Sequence, residues 1–418
     1  MRVLARLLLI LVIAGAAVLA HAEGGGDNKP EGPTVSRQTY DTLTAAQEMI
    51  GKDQHGAAAE KVRALLPAVE DNAYEAALAW QMLGYALSGA GDYAGAARAF
   101  QEALKREALP AAANHDLTLN VAQLLIHGEQ YKEGLRYLKQ WLGAEPKPSR
   151  EVRTLAAIAH YRSGDCAGAI PYVRSLVKEQ KTPEEQWYQV LLGCHFELKQ
   201  YDAVAEVLEQ LLEMNPDNRE YWVQLAAIQQ QLGRDEKALA LLELAGQRGL
   251  LDAGEALNLA RMYLAAGTPL KAAAWLEARL ADGALSRGRD SLELLADSWL
   301  MALERDKGIK ALEELARLDG RGETFFRIGR SYFEMERWSP ASDALRTALK
   351  AGNLTDPALT YLLLGIAAVH VGDRAAAEES LNRAMDDTAT RAQAAWWLQR
   401  LHSEDAPGEG VPAGGNEG

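Results

Sequence analysis

A phrase of about 34 residues, stated clearly once and then repeated with variations, constrains this chain more than any other feature of its sequence. The clear copy holds Trp80, Leu83, Gly84 and Leu87, then, after an interval, Ala96, Phe100 and Ala103. The small residue closing its first half recurs as Gly84, Ala122, Ala157, Leu192, Ala226, Ala260, Ala296, Gly329 and Gly365, at spacings of 33 to 38 residues. Twelve residues after each stands a second position, read as Ala96, Gly134, Ala169, Val204, Ala238, Ala272, Gly308, Ala341 and Ala377. Four residues further comes a large apolar one: Phe100, Leu138, Val173, Leu208, Leu242, Leu276, Leu312, Leu345 and Leu381. Only Leu192 and Val204 depart from the small type.

These residue types describe helical hairpins. Small residues stand where two helices cross, so that backbones approach closely, and large apolar residues fill the space beside the crossing. One hairpin cannot bury its apolar face alone, so neighbours must stack. Gly91-Asp92, Gly164-Asp165 and Gly372-Asp373 mark turns between helices. Pro110, Pro146 and Pro216 stand near repeat ends, where a helix must stop. Thr182-Pro183-Glu184-Glu185 and Asp356-Pro357 read as helix starts with proline at the first helical position. Residues 36–50 and 56–69 form a worn tenth hairpin, and residues 390–402, with Trp396, Trp397 and Leu401, a last amphipathic helix covering the stack.

The clear copy resembles the tetratricopeptide repeat, whose pattern is W-x2-L-G-x2-Y followed by small, aromatic and small positions. That resemblance implies an all-α fold: a right-handed α-solenoid of about ten hairpins plus a C-terminal capping helix, spanning residues 36–402. It also implies a scaffold that binds other proteins, since such stacks seldom carry out chemistry.

The ends indicate export. Arg2 and Arg6 precede the 13 apolar residues Leu7–Leu19 and then Ala20-His21-Ala22, the layout of a cleaved secretory signal over 1–22. Retention as an anchor is the other reading, although the run is short of the ~20 residues that span a bilayer. Residues 23–35 read as a flexible linker and 403–418 as a disordered tail. Without the signal the chain carries 42 basic and 58 acidic side chains, net −16. That balance disfavours nucleic acid, whose phosphates need clustered Lys and Arg. The expected compartment is the periplasm, with no transmembrane segment after cleavage.

No nucleophile elbow, phosphate loop or H-E-x-x-H occurs, so neither an enzyme nor a cofactor is expected. Cys166 and Cys194 lie in consecutive hairpins, and the sequence is compatible with a disulfide or with two buried thiols. His160 and His195 stand near them at equivalent positions, but metal-ligand spacing is lacking and no metal is expected.

In a stack of this kind the first helix of each hairpin lines the concave face. Residues one turn either side of the crossing position then give Tyr85, Tyr161, Phe196, Arg261, Phe326, Arg330 and Phe333 as candidate protein-binding residues. Aromatic side chains with arginine are enriched in recognition hot spots. Core packing is the competing reading, for Phe196 and Phe333 above all. Repeats that hold a chaperone's C-terminal carboxylate use a Lys/Asn clamp, whose asparagines are missing here.

A narrower resemblance covers the middle copies. The phrases EEQWYQVLLGCHFELKQYDAV, YWVQLAAI, LALLELAGQRGLL and LNLARMYLAAGTPLKAAAWLE resemble the periplasmic tetratricopeptide proteins encoded beside TonB, ExbB and ExbD. The resemblance implies a part in TonB-driven uptake of ferric siderophores through contact with those energy-transducing proteins. The alternative is an envelope scaffold for polysaccharide export or outer-membrane protein assembly.

Overall fold

The computed structural model describes residues 34–145, 147–181 and 184–402, and its elements among them are 21 α-helices with no strand. The expected signal, most of the linker, the tail and the Thr182-Pro183 pair lie outside the described residues. The chain divides into two compact units, Met1–Leu176 and Val177–Gly418. The first contains α1 (Arg37–Gly51), α2 (His55–Val69), α3 (Ala73–Gly89), α4 (Tyr93–Lys105), α5 (Ala111–His127), α6 (Tyr131–Ala144), α7 (Arg150–Arg162) and most of α8 (Cys166–Glu179). The second contains α9 (Glu185–Glu197), α10 (Tyr201–Met214), α11 (Arg219–Gln231), α12 (Asp235–Gln247), α13 (Ala253–Ala265), α14 (Pro269–Ala281), α15 (Arg289–Met301), α16 (Arg305–Asp319), α17 (Gly322–Glu334), α18 (Trp338–Ala351), α19 (Pro357–Val371), α20 (Arg374–Ala384) and α21 (Thr388–His402). Odd-numbered helices α1 to α19 open a hairpin and even-numbered ones close it; α21 covers the last.

One backbone device ends every opening helix. Seven residues after the crossing position the chain enters the left-handed region, at Gly91, Gly164, Gly233, Gly267 and Gly372 but also at Glu129, Lys199, Leu303 and Glu336. The next residue then donates its N–H five residues back, as in Asp92 to Leu87, Glu304 to Trp299 and Asp373 to Ala368, at 2.9 to 3.0 Å. This is the 6→1 bond of a Schellman turn, which satisfies carbonyls the helix end would leave orphaned. Glycine enters the left-handed region without strain, whereas other L-residues pay about 1–2 kcal/mol. The side chain after the turn then caps the closing helix: Asp92 accepts the Gly95 N–H at 2.8 Å and Asp373 accepts the Ala376 N–H at 3.2 Å. Asp356 caps α19 from the Leu359 N–H at 2.8 Å, with Pro357 at its first position.

The crossings carry the packing. Phe100, Leu138, Val173, Leu208, Leu242, Leu276, Leu312, Leu345 and Leu381 are each 3 % exposed or less. A Cβ placed on Gly329 or Gly365 would lie 2.6 or 2.7 Å from Cγ of Leu345 or Leu381, sixteen residues on. Gly84 lies closer still to the Phe100 ring. Leu192 is the exception: it is half-buried, and Leu191 turns into the core beside it. The expected tenth hairpin is present as α1 and α2, where Ala46, Ala58 and Val62 hold the three registers fully buried. Its turn has Asp53 in the left-handed region and Gln54 donating to Met49. The capping helix is also present, with Ala394, Trp397 and Leu398 packed on Leu362, Ile366 and Leu381.

Ion pairs stitch neighbouring hairpins at the turns. Arg234 meets Asp202 and Arg337 meets Asp306, each at 2.7 Å, from the residue just before one closing helix to the second residue of the preceding one. In the first unit a buried carboxylate fastens α1. Glu75 on α3 accepts the Ser36 N–H and hydroxyl at 2.9 Å each, the Asn72 amide at 3.0 Å, and the Thr39 hydroxyl. Burial alone would raise its pKa, but the hydrogen bonds from Thr39 and Ser36 outweigh that and hold the carboxyl below the ordinary glutamate range.

Gly329→Ala gains up to ~1 kcal/mol of helix propensity but drives a methyl against the immobile Leu345 at about 1–3 kcal/mol. Thermal melting should therefore show Gly329→Ala destabilised, and Gly143→Ala, exposed on α6 with nothing within 4 Å of the new methyl, unchanged or stabilised. The folded state of Glu75 binds its proton less tightly than the unfolded state. Its stabilisation is therefore present above the unfolded glutamate pKa and lost as pH falls through the lowered folded one. Melts between neutral pH and pH ~3 should show a steeper acid loss for the native chain than for Glu75→Gln.

Candidate protein-interaction face

The candidate face lies on the opening helices, at the positions one and four residues after each crossing residue. In the second unit these positions are Gly193 and Phe196 on α9, Ala227 and Gln230 on α11, Arg261 and Leu264 on α13, Asp297 and Leu300 on α15, and Arg330 and Phe333 on α17. Phe196 is 58 % exposed, on the last turn of α9, with its ring edge-on to Tyr201 at 6.2 Å. Arg261 is exposed and has no ion pair among the described residues. On the next opening helix, Arg327 pairs with Asp297 and lies 3.8 Å from Glu293. Beside Arg261 the amides of Gln230 and Asn258 both donate to Met262 Sδ, at 3.8 and 3.9 Å. A thioether is a weak acceptor, so these donors remain available to a better one.

The structure sorts the other candidates. Arg330 is exposed, with its Nε 3.0 Å from Glu334 on its own helix. Phe333 is half-buried, edge-on to Trp338 at 5.2 Å. Phe326 is a correction: it is 9 % exposed, in a core with Leu345, Ala348 and Leu364. Its position, three residues before the crossing, is covered because α19 supplies Leu364 and Leu359 against it. Phe326 therefore cannot present its ring to a partner, and truncating it would open a cavity worth about 3–5 kcal/mol.

In the first unit, Tyr161 is 42 % exposed on α7, and Ile158 one turn earlier is exposed as well. Ile158 was missed in the sequence reading, although the same register locates it. Tyr85 is half-buried, edge-on to Phe100 at 5.0 Å. Burial raises its hydroxyl pKa, with the Asp116 charge adding to the rise.

The histidines near the cysteines have local roles. His160 Nδ1 lies 2.8 Å from Asp165 and His195 Nδ1 lies 2.7 Å from Gln200, each reaching the residue after its own turn. Cys166 and Cys194 are both buried; the first belongs to one unit and the second to the other. Among the described residues no group of three His, Cys, Asp or Glu is placed to hold a metal ion. No helix among them is long and apolar enough to cross a membrane. A cavity of about 400 Å³ in the second unit is lined by Trp275, Arg279 and Asp282. Arg279 already pairs with Asp282 at 2.8 Å and stacks over the Trp275 ring at 4.8 Å.

Tetratricopeptide repeat models match residues 81–150 and 195–253, which supports placing these hairpins in that repeat superfamily. Crooked neck-like protein 1 of Homo sapiens is 30 % identical over 77 residues, 18 % of this chain and 9 % of that protein. The chain thus spans less than a tenth of that relative's length. Among solved structures, the APC/C hetero-tetramer Cut9-Hcn1 is similar at 14 % identity, covering 87 % of this chain and 84 % of the other with a TM-score of 0.30. YrrB, a TPR protein described as having an unusual peptide-binding site, shares 18 % identity over 47 % of this chain and 99 % of its own, with a TM-score of 0.37. A tetratricopeptide repeat protein from Parabacteroides merdae ATCC 43184 shares 14 % identity over 63 % and 99 %, with a TM-score of 0.33.

Proposed function

We propose that this protein is a non-enzymatic scaffold of the periplasm that captures a segment of a protein partner on the α9–α17 face, in the service of a TonB-type transport system. The observation that carries the reading is the pair Phe196 and Arg261: an exposed ring and a guanidinium without an ion pair among the described residues, on one face of one unit. An aromatic anchor supplies apolar area, and an arginine supplies directional donors to carboxylates or carbonyls. The TonB, ExbB and ExbD assignment rests on the resemblance of residues 184–280 to the periplasmic group. Genes for such components beside this protein's own gene would support it.

A photo-crosslinking residue in place of Phe196, in the full chain expressed in its native envelope, tests the reading. Capture of a TonB-, ExbB- or ExbD-type component is expected, and it should be lost in an F196A/R261A variant whose melting is unchanged, as both side chains are exposed. Capture of a polysaccharide-export or outer-membrane assembly component would transfer the reading to that alternative. Crosslinks indifferent to the two substitutions would remove this face from consideration.

A further inference from the structure

The arginines on the opening helices of the second unit are not equivalent. Arg219 lies 3.1 Å from Asp252 and 3.4 Å from Glu255, Arg289 lies 3.6 Å from Glu293, Arg330 lies 3.0 Å from Glu334, and Arg327 pairs with Asp297. Arg261 alone of the five on α9 to α17 has no carboxylate partner among the described residues. Three and four residues from it on α13 stand Leu257, Asn258, Leu264 and Ala265, none of them acidic. At the same register α11 holds Ala227, and on α15 Asp297 is paired with Arg327. A guanidinium is a fixed fork of donors that keeps its charge at any physiological pH. Here that charge is locally unmatched, in a chain of net charge −14.

Two amides with a poor acceptor stand beside it. Gln230 on α11 and Asn258 on α13 donate to the same Met262 Sδ at 3.8 and 3.9 Å, so both nitrogens lie within 4 Å of one sulfur. Gln230, Asn258 and Arg261 are all exposed, and Asn258 and Arg261, three residues apart, share one face of α13. A backbone carbonyl would serve the amides but leave the guanidinium charge unpaired. A carboxylate serves all three, and a charged acceptor makes each bond roughly twice as strong as a neutral one. Spacing along the face is set by direct contact between consecutive opening helices: Gln189 of α9 donates to the Tyr221 hydroxyl of α11 at 2.6 Å, and Gln230 of α11 reaches Met262 of α13. Touching helices run about 8–10 Å apart, which puts Phe196 and Arg261 roughly 20 Å apart across the face. An extended chain covers that distance in about six residues.

We propose that Gln230, Asn258 and Arg261 form a specificity subsite for an internal aspartate or glutamate of the captured segment, about six residues along from the apolar residue that meets Phe196. The subsite rests on the α9–α17 face proposed above and adds to it a charge and a spacing. It also rejects: a basic residue at that place would be set against Arg261, and a dense polyanion would meet the acidic surplus of the rest of the chain. A single acid in an otherwise neutral segment meets the one unpaired arginine and little else.

The probe is a library of random peptides of about twelve residues, displayed with tethered C-termini so that only side chains offer carboxylates, and panned on the full chain. Selected peptides should carry Asp or Glu about five to seven residues from an aromatic or aliphatic one. Panning on Arg261→Glu should lose that acid and enrich Lys or Arg in its place, an exchange that no loss of fold produces. Because Arg261 is exposed, the melting of this variant should match that of the native chain. A selected peptide remade with Gln or Asn for its acid should bind the native chain about tenfold more weakly. Peptides with no acid at a fixed spacing, or an acid preference that survives Arg261→Glu, would overturn the subsite, and the face would stand if those peptides still need Phe196. No enrichment at all, or indifference to both Phe196→Ala and Arg261→Glu, would remove face and subsite together.

Discussion

The close crossing of two helices within each hairpin is the constraint on which the rest of the structure depends. At Gly84, Gly329 and Gly365 there is no room for a single carbon between the opening helix and the side chain sixteen residues later. That proximity pins one helix against the next and leaves the large residue, Phe100, Leu345 or Leu381, sealed from water. Everything further out follows from it. The turn must begin three residues after the crossing and reverse within five, which a 6→1 bond with one left-handed residue accomplishes. The faces left over are then set by geometry: positions one and four after the crossing lie at the margin of the hairpin contact, as Tyr85 against Phe100 and Phe333 against Trp338 show.

The fold was largely legible because each of its rules acts on residue type at fixed spacing. Small and large positions over nine copies locate the crossings, and Asp after Gly locates the turns. What resisted was set by neighbours rather than by the hairpin itself. Phe326 and Phe196 show the same limit on the face. Both are phenylalanines on opening helices, yet α19 brings leucines over the first and nothing comparable covers the second. No pattern within one repeat distinguishes a ring that the next repeat covers from one that it leaves in solvent.

The interaction face was legible as a register and not as chemistry. Arg261 has no ion pair among the described residues, while Arg327 on a later opening helix pairs with Asp297, a difference that spacing along the chain does not reveal. Gln230 and Asn258 converge on Met262 from adjacent helices, so their joint character as a donor cluster exists only in the folded unit. Electrostatic pairing of this kind belongs to three-dimensional order. It is also where related stacks with similar crossings can differ most in what they hold.

The turns have a consequence for how the molecule comes apart. Each 6→1 bond and each aspartate cap is internal to its hairpin, so a hairpin keeps its own closure when its neighbour is lost. Contacts between hairpins are a separate contribution, strengthened by an arginine–aspartate pair at some junctions and not at others. The stability of such a chain is a sum over hairpins and the interfaces between them. The chain has a sequence of junctions, which yield in an order set by their individual strengths, and a pulling experiment would record them as separate steps.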